Sequence, residues 1–166
     1  MTLKKISLLL SFLLLLAIPF PSFANNLETT TVESITIEDA GNGCYYKTVI
    51  ETISADSADT SIGVLSTQST KTGRKTTYYY NASGSVLWYV RVTGRFTYGN
   101  GTSICTSASA AAEAKSSSWK IASKSSSRSG NTAKATATAK QYLNGAPVGS
   151  VTKSATLKCS STGTLS

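Results

Sequence analysis

Few side chains in this sequence can do chemistry, and the missing ones decide more than those present. The chain has no histidine and three cysteines, Cys44, Cys105 and Cys159. Without histidine it lacks the commonest general base and the commonest transition-metal ligand. Ser-His-Asp and Cys-His nucleophile systems and every histidine-bearing zinc site are excluded, and three cysteines cannot complete a four-cysteine zinc site within one chain. Ser116, Ser117 and Ser118 stand between Lys115 and Lys120, the residue types of a Ser–Lys nucleophile pair. Serine is so abundant here that this spacing carries no information, and the segment reads as a polar loop. Glycosidase-type hydrolysis needs two carboxylates held a fixed distance apart, and between Thr60 and Ser166 the one acid is Glu113. Cys44 has only Lys47 nearby to favour a thiolate, so a catalytic thiol is not expected. The expectation is a protein that is not an enzyme, with no cofactor and no metal.

What remains are the residue types of a binding surface. Tyr78, Tyr79, Tyr80 and Tyr89 are candidates for a partly exposed aromatic strip of the kind that stacks on sugar rings. Successive strand residues point to opposite faces, so at least one of the three consecutive tyrosines belongs to a core. Arg91, Arg95, Lys134 and Lys140 are candidates for a basic sheet face. The candidate binding face is thus Tyr78, Tyr80, Tyr89, Arg91, Arg95, Lys134 and Lys140. The charge distribution fits: 16 Lys+Arg against 8 Asp+Glu give +8 overall. Asn25–Asp59 holds seven acids and Lys47, net −6, whereas Thr60–Ser166 holds 13 bases and Glu113, net +12. Either the acidic segment folds back on a basic body, or the basic body faces an external polyanion. Plain solubility is the third reading of the same charges.

The N-terminus says where that polyanion would be. Met1–Lys5 is a short basic segment, Ile6–Ile18 is an apolar stretch of 13 residues, mostly leucine, and Pro19 and Pro21 end the run. Ser22-Phe23-Ala24 offers small residues at −3 and −1, so cleavage is expected between Ala24 and Asn25. Thirteen residues rise about 20 Å as a helix, short of the roughly 30 Å hydrocarbon core, so a membrane anchor is the weaker reading. The expected product is secreted or wall-associated, with no membrane span after signal removal. Its partner would be an anionic cell-wall polymer or glycan rather than nucleic acid.

The elements that must position these residues read as strands. Thr30–Glu38 alternates loosely, Asp39–Gly43 is a turn, and Cys44–Ile53 completes a hairpin. Ser54–Lys71 reads as a linker, with Ile62, Val64 and Leu65 able to touch a core. Ser85–Tyr98 places Val86, Trp88, Val90, Val92 and Phe96 on one face and Tyr89, Arg91, Thr93 and Arg95 on the other. Ala110–Ala114 could add a short helical turn. Thr132–Tyr142 alternates most strictly, with Ala133, Ala135, Ala137 and Ala139 on one face, leaving room for Trp88, Phe96 and Trp119. Val148–Cys159 is a last strand in which Lys153 interrupts the apolar face. Turns stand at Asn81–Gly84, Gly99–Gly101, Ser129–Asn131 and Asn144-Gly145. Seven or eight short strands predict an antiparallel β-sandwich of the immunoglobulin-like kind, with a small barrel as the rival. The expected divisions are a signal peptide at 1–24, an acidic hairpin and linker at 25–70, and a basic body at 71–166, with 25–166 folding as one unit.

Export permits disulfides. Cys105 and Cys159 fall on apolar strand faces, so their pairing is expected among the three possible, with Cys44 left over.

The tyrosine run, the stretch WYVRVTGRF, the motifs SWK and SRSGNTA, and the ending LKCS give the chain a resemblance. With the hairpin GNGCYYKTVIE, they resemble a family of small secreted proteins of Gram-positive, often gut-dwelling, bacteria. The resemblance implies a paired Cys105 and Cys159. Cys44 departs from it, since an aromatic residue usually stands there. It implies no activity. The expected function is a non-catalytic secreted module that binds an envelope or surface polyanion or glycan. The alternative is a diffusible bacteriocin-like or host-directed effector.

Overall fold

A computed structural model describes residues 28–55 and 68–166. The expected signal segment, with the cleavage expected between Ala24 and Asn25, and most of the expected linker with Ile62, Val64 and Leu65, lie outside the described residues. Eight antiparallel strands make up the rest: β1 (Glu28–Gly41), β2 (Cys44–Ala55), β3 (Ser69–Tyr80), β4 (Val86–Gly99), β5 (Thr102–Ala114), β6 (Trp119–Ser129), β7 (Thr132–Leu143) and β8 (Ala146–Lys158). They form two sheets, β1-β2-β3-β4-β5 and β6-β7-β8, not closed into a barrel. This is the expected antiparallel sandwich, but every hydrogen-bonded neighbour is consecutive in the chain, a meander rather than the Greek-key order of the immunoglobulin-like kind. The acidic hairpin β1–β2 belongs to the same sheet as β3, β4 and β5.

Turn chemistry explains the up-and-down connections. Asn42-Gly43, Asn100-Gly101 and Asn144-Gly145 each place two successive residues at positive φ, the geometry of a two-residue I′ hairpin. Asparagine and glycine tolerate that region, and its twist matches the flanking strands.

The core lies between β4 and the alanine strands. Trp88, Val90, Val92 and Phe96 are at most 1% exposed and form the inner face of β4. Ala133, Ala135, Ala137 and Ala139 face them from β7, also at most 1% exposed. A second alanine row, Ala108, Ala110, Ala112 and Ala114, runs along β5 and packs against the same core. The short helical turn expected at Ala110–Ala114 is therefore strand. Alanine's helix propensity is a weak preference, and cross-strand packing against Val90, Val92 and Trp88 overrides it. Backbone approach is close at Gly94, where an added Cβ would stand 2.8 Å from the Phe96 ring and 2.9 Å from Ala133 Cβ.

The second sheet covers β3, β4 and β5 and leaves β1 beyond it, and every residue of β1 is exposed. Lys153 spans the step. On the inner face of β8, opposite Ala137, it puts Nζ 3.8 Å from the centre of the Tyr46 ring and 3.1 Å from Glu38 Oε2. The break in the apolar pattern of β8 is thus the contact that ties the acidic hairpin to the basic sheet.

Candidate functional site: the outer face of the five-stranded sheet

Register places the outward side chains of the larger sheet in rows across the strands. One row reads Ile37, Lys47, Tyr78, Tyr89, Glu113 from β1 to β5. The next reads Ile35, Val49, Thr76, Arg91, Ala111, and the third Val32, Glu51, Arg74, Thr93, Ser109. A fourth reads Thr30, Ile53, Thr72, Arg95, Ser107. The bulge at Glu33 keeps Val32 in phase with Ile35 and Ile37. These three are 53%, 53% and 69% exposed, an apolar margin on an otherwise aromatic and basic face.

The tyrosines form a continuous strip. Tyr45 stacks on Tyr80 at 4.8 Å with the rings 2° from parallel. Tyr80 lies 6.3 Å from Tyr78, and Tyr78 lies 5.7 Å from Tyr89. All four are half-buried. The strip is held from the β5 side: the Tyr89 hydroxyl donates to Glu113 Oε2 at 3.2 Å, and Lys115 Nζ donates to Glu113 Oε1 at 2.7 Å. The Lys115 hydrogen bond, more than the Tyr89 one, holds the Glu113 carboxyl below its usual range. Burial first, then Tyr45 and Tyr78, push the Tyr80 phenol up.

Arg91 links the strip to the basic rows. Its guanidinium carbon sits 5.2 Å from the centre of the Tyr89 ring, and its Nε donates to Thr76 Oγ1 at 2.9 Å. Thr76, fully buried, lies beneath it. Arg74 stands in the adjacent row. It is 3.9 Å from Glu28 Oε2 and 4.0 Å from Glu51 Oε2, and its Nε is buried without a hydrogen-bond partner. Arg95 is exposed, and beside it a hollow of about 520 Å³ is lined in part by Thr72, Ile53 and Thr70.

The expected site residues therefore divide. Tyr78, Tyr80, Tyr89, Arg91 and Arg95 come together on one face. Lys134 and Lys140 do not join them: they project from the outer face of β7, on the far side of the sandwich. The alternation of β7 is as expected, but which sheet β7 would join is not in the pattern. That far face is a hydroxyl ladder instead, with Thr136–Ser154 and Thr138–Thr152 oxygens 2.8 and 2.9 Å apart. Tyr79 turns inward, 5.7 Å from Trp119 and 6.2 Å from Trp88. Tyr45 and Arg74 were missed. Arg74, Thr76, Tyr78 and Tyr80 share one parity on β3, which was signal enough for Arg74. Tyr45 needed the β2–β3 register.

The expected Cys105–Cys159 bond is not formed, and all three cysteines are free thiols. Cys105 Sγ donates to Ser107 O at 3.2 Å, and Cys159 Sγ to Ser160 O at 3.5 Å. Each thiol is turned to a nearby carbonyl of its own segment. The two backbones are tied instead through the β6–β7 turn, with Cys105 N donating to Gly130 O at 2.7 Å and Cys159 N to Asn131 O at 3.1 Å. Burial pushes the Cys105 thiol up, against the opposing pull of Arg128. Cys44 is half-buried and helps to push the Tyr79 phenol up. Among the described residues no group of three or more Cys, Asp or Glu is placed to hold a metal ion.

No family model, curated protein or solved structure matches the chain. The kinship expected from the sequence motifs rests on those motifs alone.

Proposed function

We propose that this chain is a secreted, non-catalytic module that binds an anionic polymer or glycan of the cell envelope through the outer face of its five-stranded sheet. One observation carries the reading: four half-buried tyrosines in ring contact, Tyr45, Tyr80, Tyr78 and Tyr89, run directly into Arg91 on an open sheet face. Aromatic rings held against one another present apolar surface at little entropic cost, and guanidinium groups beside them add attraction for anions. No reacting group is required of such a surface.

The test is sedimentation of the purified chain with Gram-positive envelopes, with and without their anionic wall polymer. Binding is expected at low salt and is expected to weaken strongly near 1 M salt, where the Debye length falls to about 3 Å. Tyr78→Ala with Tyr89→Ala is expected to reduce retention at least tenfold. Protein left in the supernatant under every condition would overturn the reading in favour of a diffusible effector.

A further inference from the structure

We propose that the outer face contains a site for a tetrahedral oxyanion, a sulfate or phosphate ester carried on the sugar chain, gripped by Arg74, Arg91 and Arg95 around Thr93. The inference rests on the glycan reading of this face and names the group that the basic rows recognise.

Register builds the triangle. Thr93 stands directly opposite Arg74, while Arg91 and Arg95 lie two residues to either side of Thr93 on the same face of β4. Diagonal neighbours on a sheet lie about 7–8 Å apart. Arg91 and Arg95 themselves stand four residues, roughly 13 Å, apart along β4, so their forks meet only midway, over Thr93. A tetrahedral anion presents three oxygens to such a triangle, and planar guanidinium forks match those oxygens in pairs.

Donors are available. The buried Arg74 Nε has no hydrogen-bond partner, and both carboxylates beside Arg74 stand at 3.9–4.0 Å, beyond hydrogen-bond length. Arg91 spends Nε on Thr76 with its guanidinium beside the Tyr89 ring, and its two terminal nitrogens make no hydrogen bond among the described residues. Arg74 already faces Glu28 and Glu51, whereas Arg91 and Arg95 have no ion pair among the described residues, so an anion between them offsets their mutual repulsion. Glu28 and Glu51 border the triangle on the β1–β2 side, so the open approach is from β4. Thr93 lies four residues from Tyr89, roughly 13 Å along the strand. A chain stacked on the tyrosines would reach the triangle within a few sugar units.

The experiment is calorimetric titration of the purified chain with a neutral oligosaccharide, its sulfated derivative, a uronic-acid oligomer of equal charge, and inorganic sulfate or phosphate alone. The sulfated chain is expected to bind at least about tenfold more tightly than the neutral and uronate chains. Arg91→Gln with Arg95→Gln is expected to abolish that preference, and the paired Lys substitutions to restore only part of it, whereas Tyr78→Ala with Tyr89→Ala is expected to weaken the neutral and sulfated chains alike. Arg91 and Arg95 are used because Arg74→Gln also removes a partly buried group. Equal binding of the sulfated and uronate chains, or a preference that survives the double Gln variant, would overturn the site. Inorganic anion binding as tightly as the ester would overturn its assignment to a sugar-borne group. If no oligosaccharide binds at all, the glycan reading of the face falls with it.

Discussion

Tyr79 sits where the inner aromatic cluster meets Cys44. Burial first, then the hydrogen bond and charge of Cys44 and the nearby Tyr46, push its pKa up to about 12. A tyrosine in the unfolded chain ionises near 10. Between those values the unfolded chain releases a proton that the native state keeps. The stability contribution is therefore fully present below pH 10 and is lost as pH rises through 12. Tyr46, also raised chiefly by burial, acts in the same direction. The thermal midpoint is expected to fall between pH 10 and 12, and Tyr79→Phe to fall less steeply, as followed by circular dichroism. An identical alkaline decline in Tyr79→Phe would remove this residue from the account. The sequence already required one of the three consecutive tyrosines to turn inward. Which one depended on the parity of β3, set by its pairing with Trp88 on β4.

At the scale of the element, β7 shows how a weak residue type makes a strong strand. Alanine leaves the inner face of β7 thin, so the large side chains of β4 fill the space between the sheets. Ala135, fully buried, has no room for growth. Ala135→Leu is expected to destabilise the fold by about 1–3 kcal/mol through overpacking. Thr136→Val, on the opposite face, is expected to cost less than about 1 kcal/mol, since it gives up only a part-buried hydroxyl contact with Ser154. Urea unfolding of the two variants measures the contrast, and equal midpoints would refute it. The alternation of β7 was legible because its period is two over ten residues. The helical reading of Ala110–Ala114 failed because a run of alanines has no period, and only the neighbouring strand decided its conformation.

For the whole molecule, the acidic hairpin and the basic sheet meet at Lys153. Its partner Glu38 is largely exposed, and such a pair contributes little by itself. The Tyr46 ring beneath the ammonium adds a cation–π contact. Lys153→Ala is expected to lower global stability by about 1 kcal/mol and to speed amide hydrogen exchange in β1 and β2 more than in β7. Uniform acceleration across both sheets would argue against Lys153 as the tie. The same arrangement leaves the tyrosine strip and Arg91 and Arg95 uncovered, because the smaller sheet packs on the opposite face. The charge split was plain in the sequence. That the acidic hairpin shares a sheet with β3, β4 and β5, with Lys153 pairing across to it from the other sheet, was not.

By itself the sequence determined the all-β class, the alternating faces of β4 and β7, the turns, and the absence of histidine chemistry. These follow from local rules: side-chain period, positive-φ residues at turns, and residue inventory. Only the tertiary structure decided which strands share a sheet. That put Lys134 and Lys140 on the far side from Arg91 and Arg95, added Arg74 and Tyr45 to the face, turned Lys153 into a tie, and left Cys105 and Cys159 as separate thiols. Register between strands distant in sequence is set by the packing of whole faces, and no short stretch of residues contains it.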